Sequence, residues 1–490
     1  MKNFKKFLGN NLWKILLGIQ GLASIVLLVL VYLLDILPML YLGIVIVILV
    51  LLMLLSFFLM KRKKDQKKDK VKNIIGKIVS VALSILLIVG SVYISQGTST
   101  LNSLSDANVQ TNTISAIVLD ESEIEELEQC DGATFGINSN VGSDILDLAI
   151  ESIEETIGSI ETSDYDEFVS LATALYDEEV DVIIMDEAYR TIVESEYEDF
   201  QTETRVIWQY SYDTEVEDFA KEVDVTNTAF SVYISGIDTT GAVSTVSRSD
   251  VNMIITVNPT TKQILLTSIP RDYYVTLANN GEKDKLTHAG IFGVQNSVET
   301  VENLLGIEIN YYAKVNFTSL VDIVDALGGI TVYCDQAVSS FHTGSGSVTV
   351  GYNEMDGELA LTFCRERYAY SDGDNHRVKN QQEVIKGIIN KVTSTAFLTN
   401  YSSVLSAVDG SVETNFSTSE ITSLIKMQIN DMADWEIQQC QLTGSGTTMY
   451  GGSLMPNNKL YYMIPDDDSI EECVGYINSV LNGEDYTVAD

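Results

Sequence analysis

Histidine, cysteine and positive charge are all scarce in this 490-residue chain, and each shortage removes a class of function. The three histidines, His288, His342 and His376, give no basis for a Ser-His-Asp triad, and neither a Walker loop nor a GxGxxG phosphate cradle occurs. Five cysteines, Cys130, Cys334, Cys364, Cys440 and Cys473, are too few and too scattered for a disulfide scaffold, and an odd number leaves at least one unpaired. None has the CxxC spacing of a structural zinc site. Thirty Lys and Arg face 69 Asp and Glu, a formal charge of −39. A field of that sign repels phosphate backbones, so nucleic acid is not an expected partner.

What the first hundred residues have in abundance is apolar length. Ile15–Leu34, Met39–Met60 and Ile74–Ser95 are each runs of about twenty residues, enough to cross a bilayer as helices. A cleavable signal peptide has one short apolar core and no second or third span. Lys2, Lys5, Lys6 and Lys14 precede the first run, "DILP" (35–38) separates the first two, and "KRKKDQKKDKVKNIIGK" (61–77) separates the last two. Positively charged loops stay inside, so the N-terminus is expected in the cytoplasm and everything after about residue 96 outside the cell. Residues 1–77 hold 13 cations and 3 acids, and the rest of the chain 17 cations and 66 acids. The basic loop sets topology and neighbours the anionic inner leaflet.

The expected organisation is a membrane region over 1–98, an acidic accessory domain over 99–225 and a larger domain over 226–484. "QGTSTLNSLSDANVQTNT" (96–113) reads as a short polar tether. Runs such as "ISAIVL" and "VDVIIM" alternate with acidic amphipathic stretches such as "SDILDLAIESIEETI", the pattern of a small α/β domain. It loosely resembles one lobe of an extracellular solute-binding protein, but a spacer or packing domain with a solvated acidic face is the preferred reading.

The scarce cations are not spread evenly. Residues 248–391 hold 12 of the 17 outer cations against 17 acids. Within this segment "FSVYISGID" (230–238), "DVNMIITVN" (250–258) and "QILLTSIP" (263–270) read as successive strands. If the first two pair as a hairpin, Asp238 and Asp250 meet at one end of the sheet, a placement that suits Mg²⁺ and equally suits two solvated loop acids. Pro270 ends the third strand and sends Arg271 into a loop. "DGELALTFCRERY" reads as a helical turn feeding a strand, on which Arg365 and Arg367 share one face. Arg377 lies just before an amphipathic helix over 381–392. Four arginines brought together repel one another unless an anion completes the set, and the planar guanidinium binds phosphate oxygens in pairs. The plainer alternative is that each arginine has its own acid, such as Glu366, Asp372 or Asp374. "FTSLVDIVDALGGITVYC" (317–334) reads as helix, Gly-Gly turn and buried strand, and could also wall a cavity for a lipid chain.

"GID" with Asp238, "RSD" with Arg248 and Asp250, "SIPRD" with Arg271, "KLTHA" with Lys285 and His288, "VDALGGITV" and "CRERY…GDNHR…QQ" resemble, in order and spacing, the LytR-CpsA-Psr family of cell-wall glycopolymer ligases. The resemblance implies an α/β fold: an α-β-α catalytic domain with a central mixed sheet, here preceded by three transmembrane helices and a small α/β accessory domain. It implies a membrane-anchored phosphotransferase that moves a glycopolymer, such as a capsular polysaccharide or teichoic acid, from a polyprenyl (undecaprenyl) pyrophosphate carrier to a peptidoglycan acceptor. By position, Asp238 and Asp250 would hold Mg²⁺, and Arg271, Arg365, Arg367 and Arg377 would clamp the pyrophosphate. Asp374 and Gln381 match positions lining the same site, while Arg248 and Lys285 fit supporting roles. Asn380 departs from the family's usual arginine. Phosphoryl transfer asks a protein mainly for positioning and charge neutralisation, which this set supplies without a covalent nucleophile. The same cluster would also suit a non-enzymatic sensor of lipid pyrophosphate or wall polymer, or a lipid pyrophosphatase that admits water.

Overall fold

A computed structural model of the protein describes residues 2–61, 67–105, 109–139, 143–237, 242–339, 344, 346–371, 373–394, 403–404, 406–408 and 410–489. The chain forms two compact units, one of Met1–Leu104, Val392–Asp409 and Ser417–Asp434, the other of Ser105–Lys391, Gly410–Phe416 and Trp435–Asp490.

In the first unit three helices, α1 (Lys2–Leu34), α2 (Met39–Met60) and α3 (Lys67–Ser105), contain spans long and apolar enough to cross a membrane, at Asn11–Leu34, Met39–Met60 and Lys70–Gly97. Side chains such as Leu40 and Leu86 point outward, as a helix does when lipid is its solvent. The third helix runs ten residues past the expected end at Ser95, and a strand begins at Val109, so the polar stretch 96–113 is not a plain tether. Small polar residues are acceptable in a helix already nucleated by a long span. A further helix, Thr418–Asp431, opens with a capping box in which the Ser417 and Glu420 side chains each accept from the other's backbone N–H. Its Lys426 reaches Asp35, between the first two spans, at 2.7 Å.

The second unit opens with the accessory sheet. Its strands are β1 (Val109–Leu119), β2 (Thr134–Ile137), β3 (Glu161–Asp164), β4 (Val182–Asp186) and β5 (Thr204–Glu215), in the order β3-β2-β4-β1-β5. β2 runs parallel to β3 and β4, and β1 antiparallel to β4 and β5. Alternation along β1 sends Ile114, Ala116 and Val118 to the face covered by α4 (Ser143–Ile157), and Ile117 to the face covered by α5 (Phe168–Tyr176). A strand covered on both faces reads as a continuous apolar run, which is why "ISAIVL" looks as it does. The α5 side also takes in Val246, Ile291 and Met455 from far downstream.

The larger sheet has six strands: β6 (Phe230–Ile237), β7 (Ser249–Asn258), β8 (Gln263–Ile269), β9 (Tyr311–Asn316), β10 (Val412–Thr414) and β11 (Glu436–Gln441), in the order β10-β9-β6-β7-β8-β11. β6, β7 and β8 are the expected antiparallel series, while β9 runs parallel to β6 and β11 parallel to β8, so the sheet is mixed. One face buries Tyr233, Ile254 and Leu265 against Val298 and Val301 of α6 (Val294–Leu305) and, further along the chain, Ile477 and Val480 of the helix Asp467–Asn482. The other face carries α7 (Phe317–Ala326), α8 (Gly357–Arg365) and α9 (Asp374–Val392). Gly357 lets α8 approach α7 closely, because a Cβ there would stand 2.7 Å from the Val321 Cα. All five cysteines are buried free thiols.

Candidate functional site

The sheet brings to one end the last residues of β6 and β9, the first of β7 and the loop after β8. Gly236 and Ile237 close β6, Arg248 and Asp250 flank the start of β7, Arg271 follows Pro270 after β8, and Asn316 closes β9. Strand ends of this kind are where α/β sheets place ligands. Asn316 caps α7, accepting from the Ser319 N–H, and so sets Phe317 as the first helical residue at the mouth of the sheet.

The backbone of "TFCRERY" differs from expectation. Asp356 accepts from the Leu359 N–H and starts a helix that runs to Arg365, not a strand. Apolar residues at Leu359, Ala360, Phe363 and Cys364 have helical spacing, and they outweigh a four-residue alternation. Glu366 then leaves the helix in extended geometry, with φ −68° and ψ 126°. Arg365 and Arg367 still reach the same cavity, with Cys364 and Glu366 buried between them. The following helix starts at Asp374, seven residues before the expected 381, so Arg377 is in its first turn. Arg377, Gln381, Val384 and Ile385, at helical spacings of i, i+4, i+7 and i+8, form the stripe of α9 that lines the cavity.

That cavity measures about 570 Å³ and gathers Arg248, Asp250, Arg271, Arg365, Arg367, Arg377 and Gln381. Apolar side chains, among them Ile237, Phe317, Leu320, Leu361, Val384 and Ile385, form much of the remaining wall, together with Asn316, Thr362, Glu366 and Tyr368. The stretch 317–334 is the expected helix, turn at Gly328 and Gly329 and strand, and Phe317 and Leu320 at its start line the cavity. A larger hollow of about 720 Å³ beside β11 has Lys379 and Lys386 against five acids and no arginine.

Asp250 is the hub. Its Oδ1 accepts from Arg271 Nη1 at 3.0 Å and Thr287 Oγ1 at 3.1 Å, and lies 3.4 Å from Arg248 Nε. Burial opposes its ionisation, but the Arg248 and Arg271 guanidiniums outweigh it and hold its carboxyl below the usual range. Arg377 pairs with Asp374 at 2.5 Å, and Asp374 itself is half-buried and outside the cavity lining. Burial pushes the Arg377 guanidinium below its ordinary value; Asp374 and Asp250 resist, while Arg271 and Arg367 add to the push. Arg365 stacks 4.3 Å over the Phe317 ring, and Arg367 4.9 Å over Tyr368, whose hydroxyl it also reaches at 2.8 Å. Among the described residues neither Arg365 nor Arg367 has a carboxylate within 4 Å, and Asp372, one of the acids named for them, lies outside the described residues.

Three buried atoms, Arg248 Nε, Arg271 Nε and Arg377 Nε, have no hydrogen-bond partner among the described residues. Five guanidiniums share the lining with two carboxylates, Asp250 and Glu366. Orphaned donors and surplus charge in a half-buried hollow are the signature of a polyanion site. The donor set also fits Mg²⁺: Asp250 Oδ2 is unengaged among the described residues, and the metal takes one or two carboxylates, phosphate oxygens and water. Among the described residues no group of three His, Cys, Asp or Glu holds a metal unaided. Asp238 lies outside the described residues, directly after Ile237.

Lys285 is not in the lining; it is neutralised by Asp272 at 2.9 Å, which also stands 3.7 Å from Arg271 Nε. Asn380 is buried and donates to the Phe363 carbonyl and the Tyr370 hydroxyl, tying α9 to the end of α8 where an arginine charge would have no outlet. His288 is held by Asp284 at 2.8 Å, away from the lining. Sequence reasoning missed Phe317, Tyr368 and Thr287. Thr287 stands inside the quoted "KLTHA", but a neutral hydroxyl gives no charge signal; the two rings become stacking platforms only once the chain folds.

Residues 195–474 match the LytR_cpsA_psr family. The polyisoprenyl-teichoic acid–peptidoglycan teichoic acid transferase TagU of Enterococcus faecalis is 37% identical over 247 residues, covering 50% of this chain and 80% of that protein. TagU of Bacillus subtilis is 34% identical over 256 residues, covering 51% and 78%. Among solved structures, B. subtilis TagT is 29% identical with a TM-score of 0.43, covering 54% of this chain and 94% of that one. With more than half its length matched by the family and four-fifths of a transferase covered, this chain belongs to the LytR-CpsA-Psr family.

Proposed function

We propose that the protein is a membrane-anchored phosphotransferase that moves a phosphoglycosyl polymer from an undecaprenyl pyrophosphate carrier to peptidoglycan. The observation that carries this reading is the joining of five guanidiniums and an apolar wall in one cavity, which matches a headgroup of two phosphates on a hydrocarbon chain. Relatives named as teichoic acid transferases support the reaction class.

In this reading the pyrophosphate lies among Arg248, Arg271, Arg365, Arg367 and Arg377, and the first isoprene units lie along Ile237, Phe317, Leu320 and Val384. Asp250 would hold Mg²⁺ together with Asp238, and the metal would supply further neutralisation of phosphate charge. The acceptor hydroxyl attacks the sugar-bearing phosphorus, a phosphodiester bond forms, and the bridging P–O bond breaks. Undecaprenyl phosphate leaves with the bridging oxygen, and the proton of the hydroxyl is balanced on that released monophosphate. The arginines do not react; they stabilise charge as it shifts toward the bridging oxygen, the kind of preorganised support that dominates phosphoryl transfer. Asp374 orients Arg377, Gln381 presents an amide to the same hollow, and Lys285 acts at one remove by holding Asp272 beside Arg271.

The active region faces the outside of the cell. The charge pattern supports this, since the basic segments before the first span and between the second and third favour the cytoplasm and three crossings then leave the later residues outside.

The test uses the full chain in lipid nanodiscs with a lipid-linked polymer donor, Mg²⁺ and a peptidoglycan acceptor. Linked product is expected; polymer phosphate released without linkage, or binding without turnover, would replace the proposal with a hydrolase or a sensor.

A further inference from the structure

Strand β1 does more than complete its own sheet. Along Ile114–Ile117 it lies between β4 and β5, but before Ile114 β4 has ended and only β5 pairs with it. The vacated edge is taken by residues 244–246 of the larger domain. Thr111 N–H donates to the Ser244 carbonyl at 2.9 Å and the Thr111 carbonyl accepts from Val246 N–H at 3.0 Å, a parallel bridge centred on Thr245. The Thr111 and Ser244 hydroxyls meet at 2.9 Å.

The hold is three-sided. The Val246 side chain is buried in the accessory core with Leu171, Ile183 and Tyr189. From the central sheet, buried Lys314 donates from Nζ to the Thr245 carbonyl at 3.0 Å while Glu413 lies 3.3 Å from the same nitrogen. Beneath the next residues Gly290 leaves no room to shift, since a Cβ there would stand 2.7 Å from the Ser247 carbonyl oxygen and from Ser249 N. Two positions beyond Val246 is Arg248, and two beyond that Asp250. Most of these contacts grip the main chain, so they fix where the backbone enters the cavity rather than what chemistry occurs there.

We infer that residues 109–215 are a positioning module for the donor site, with Thr111, Val246 and Lys314 as the positioning residues that set Arg248 against the pyrophosphate. This rests on the proposed reading of the cavity as a diphosphate site. It gives the accessory domain a task at the phosphates without requiring a ligand of its own. An independent arm runs beside it: Met455 enters the same accessory core, and Leu454 N–H donates to Asp284 at 2.9 Å, next to Lys285 and so to Asp272 and Arg271.

The test is a double-mutant cycle on the full chain in nanodiscs, read first by calorimetric titration with inorganic pyrophosphate and Mg²⁺, then by transfer from the lipid-linked donor. Val246→Ala and Lys314→Met are each expected to weaken pyrophosphate binding and raise donor KM by about 10- to 100-fold, the effect of a small misplacement, while kcat changes far less. In an Arg248→Ala background each is expected to add almost nothing, because the guanidinium it positions is gone. Lys314→Arg, which keeps the donor, restores affinity. Additive losses, or a lower Tm with pyrophosphate affinity unchanged, would overturn the inference and reduce the contacts to ordinary interdomain packing. Should Val246→Ala fail to fold, Lys314→Met and Lys314→Arg carry the cycle. Arg248-dependent coupling without polymer transfer would keep the inference and remove the proposed reaction; transfer without coupling would do the reverse.

Discussion

Arg271 Nη1 and Asp250 Oδ1 meet at 3.0 Å, joining the loop after β8 to the start of β7 across a shared cavity. The bond uses one carboxylate oxygen and leaves Oδ2 unengaged among the described residues, where the proposed Mg²⁺ would bind. Asp250→Ala should raise the Mg²⁺ concentration for half-maximal transfer by at least the roughly 10- to 100-fold that loss of an outer-shell partner causes. It should also free Arg248 and Arg271, so pyrophosphate affinity without metal should change little or rise. A Mg²⁺ titration superimposable on the wild type would remove Asp250 from the metal site.

Arg365 and Arg377 enter the cavity from different helices, and the two should fail alike. Arg365→Ala and Arg377→Ala are each expected to lower kcat by at least about 100- to 1000-fold, the usual effect of removing one preorganised donor, with circular dichroism and Tm close to wild type. Arg365→Lys should recover little, because an ammonium loses both the planar fork and the stack on Phe317. Wild-type turnover in either alanine variant would take that residue out of the mechanism.

Asp284 gives a pH prediction separate from catalysis. It is buried and accepts from His288, Leu454 N–H, Lys285 N–H and the Ser453 hydroxyl. Burial would raise its pKa, but the His288 contacts and the backbone donors outweigh burial and hold it below the usual carboxylate range. A depressed folded-state value adds stability above the unfolded value of about 3.9, and the contribution is lost as pH falls through the lower folded value. Wild type should therefore lose Tm faster than Asp284→Asn as pH falls below about 4, while at neutral pH the variant is the less stable. Parallel Tm curves down to pH 2.5 would count against it.

The cysteines give a chemical test of the fold. All five are buried free thiols, and burial pushes Cys130 up to about 11 and Cys364 up to about 12. A thiol reagent at pH 8 should label almost none in the native protein and five per chain after denaturation. Rapid stoichiometric labelling of the native chain would contradict the packing around them.

Much of the candidate site was legible because its signal is compositional. A chain with 69 acids that collects 12 of 17 outer cations in one segment advertises an anion site before any fold is known. The β6–β7–β8 series was readable from apolar runs and breaks at polar loops. The backbone around Arg365 was not, because "CRER" alternates like a strand while the residues before it have helical spacing, and only packing against α7 decides. The helix α9 begins earlier than its composition suggests, since "DNH" (374–376) has loop composition yet opens its first turn.

Sequence alone determined the three apolar spans, the asymmetry of charge along the chain and the set of arginines, because length, hydropathy and charge are properties of the chain whatever its shape. Tertiary structure decided what each of those arginines touches among the described residues. Arg248 and Arg271 share Asp250, Arg377 takes Asp374, and Arg365 and Arg367 rest on rings. It also decided that Thr111 and Val246, 135 positions apart by subtraction of their numbers, grip the backbone that leads to Arg248. Pairing of that kind depends on donor and acceptor coming within hydrogen-bond distance, which folding sets and residue order does not.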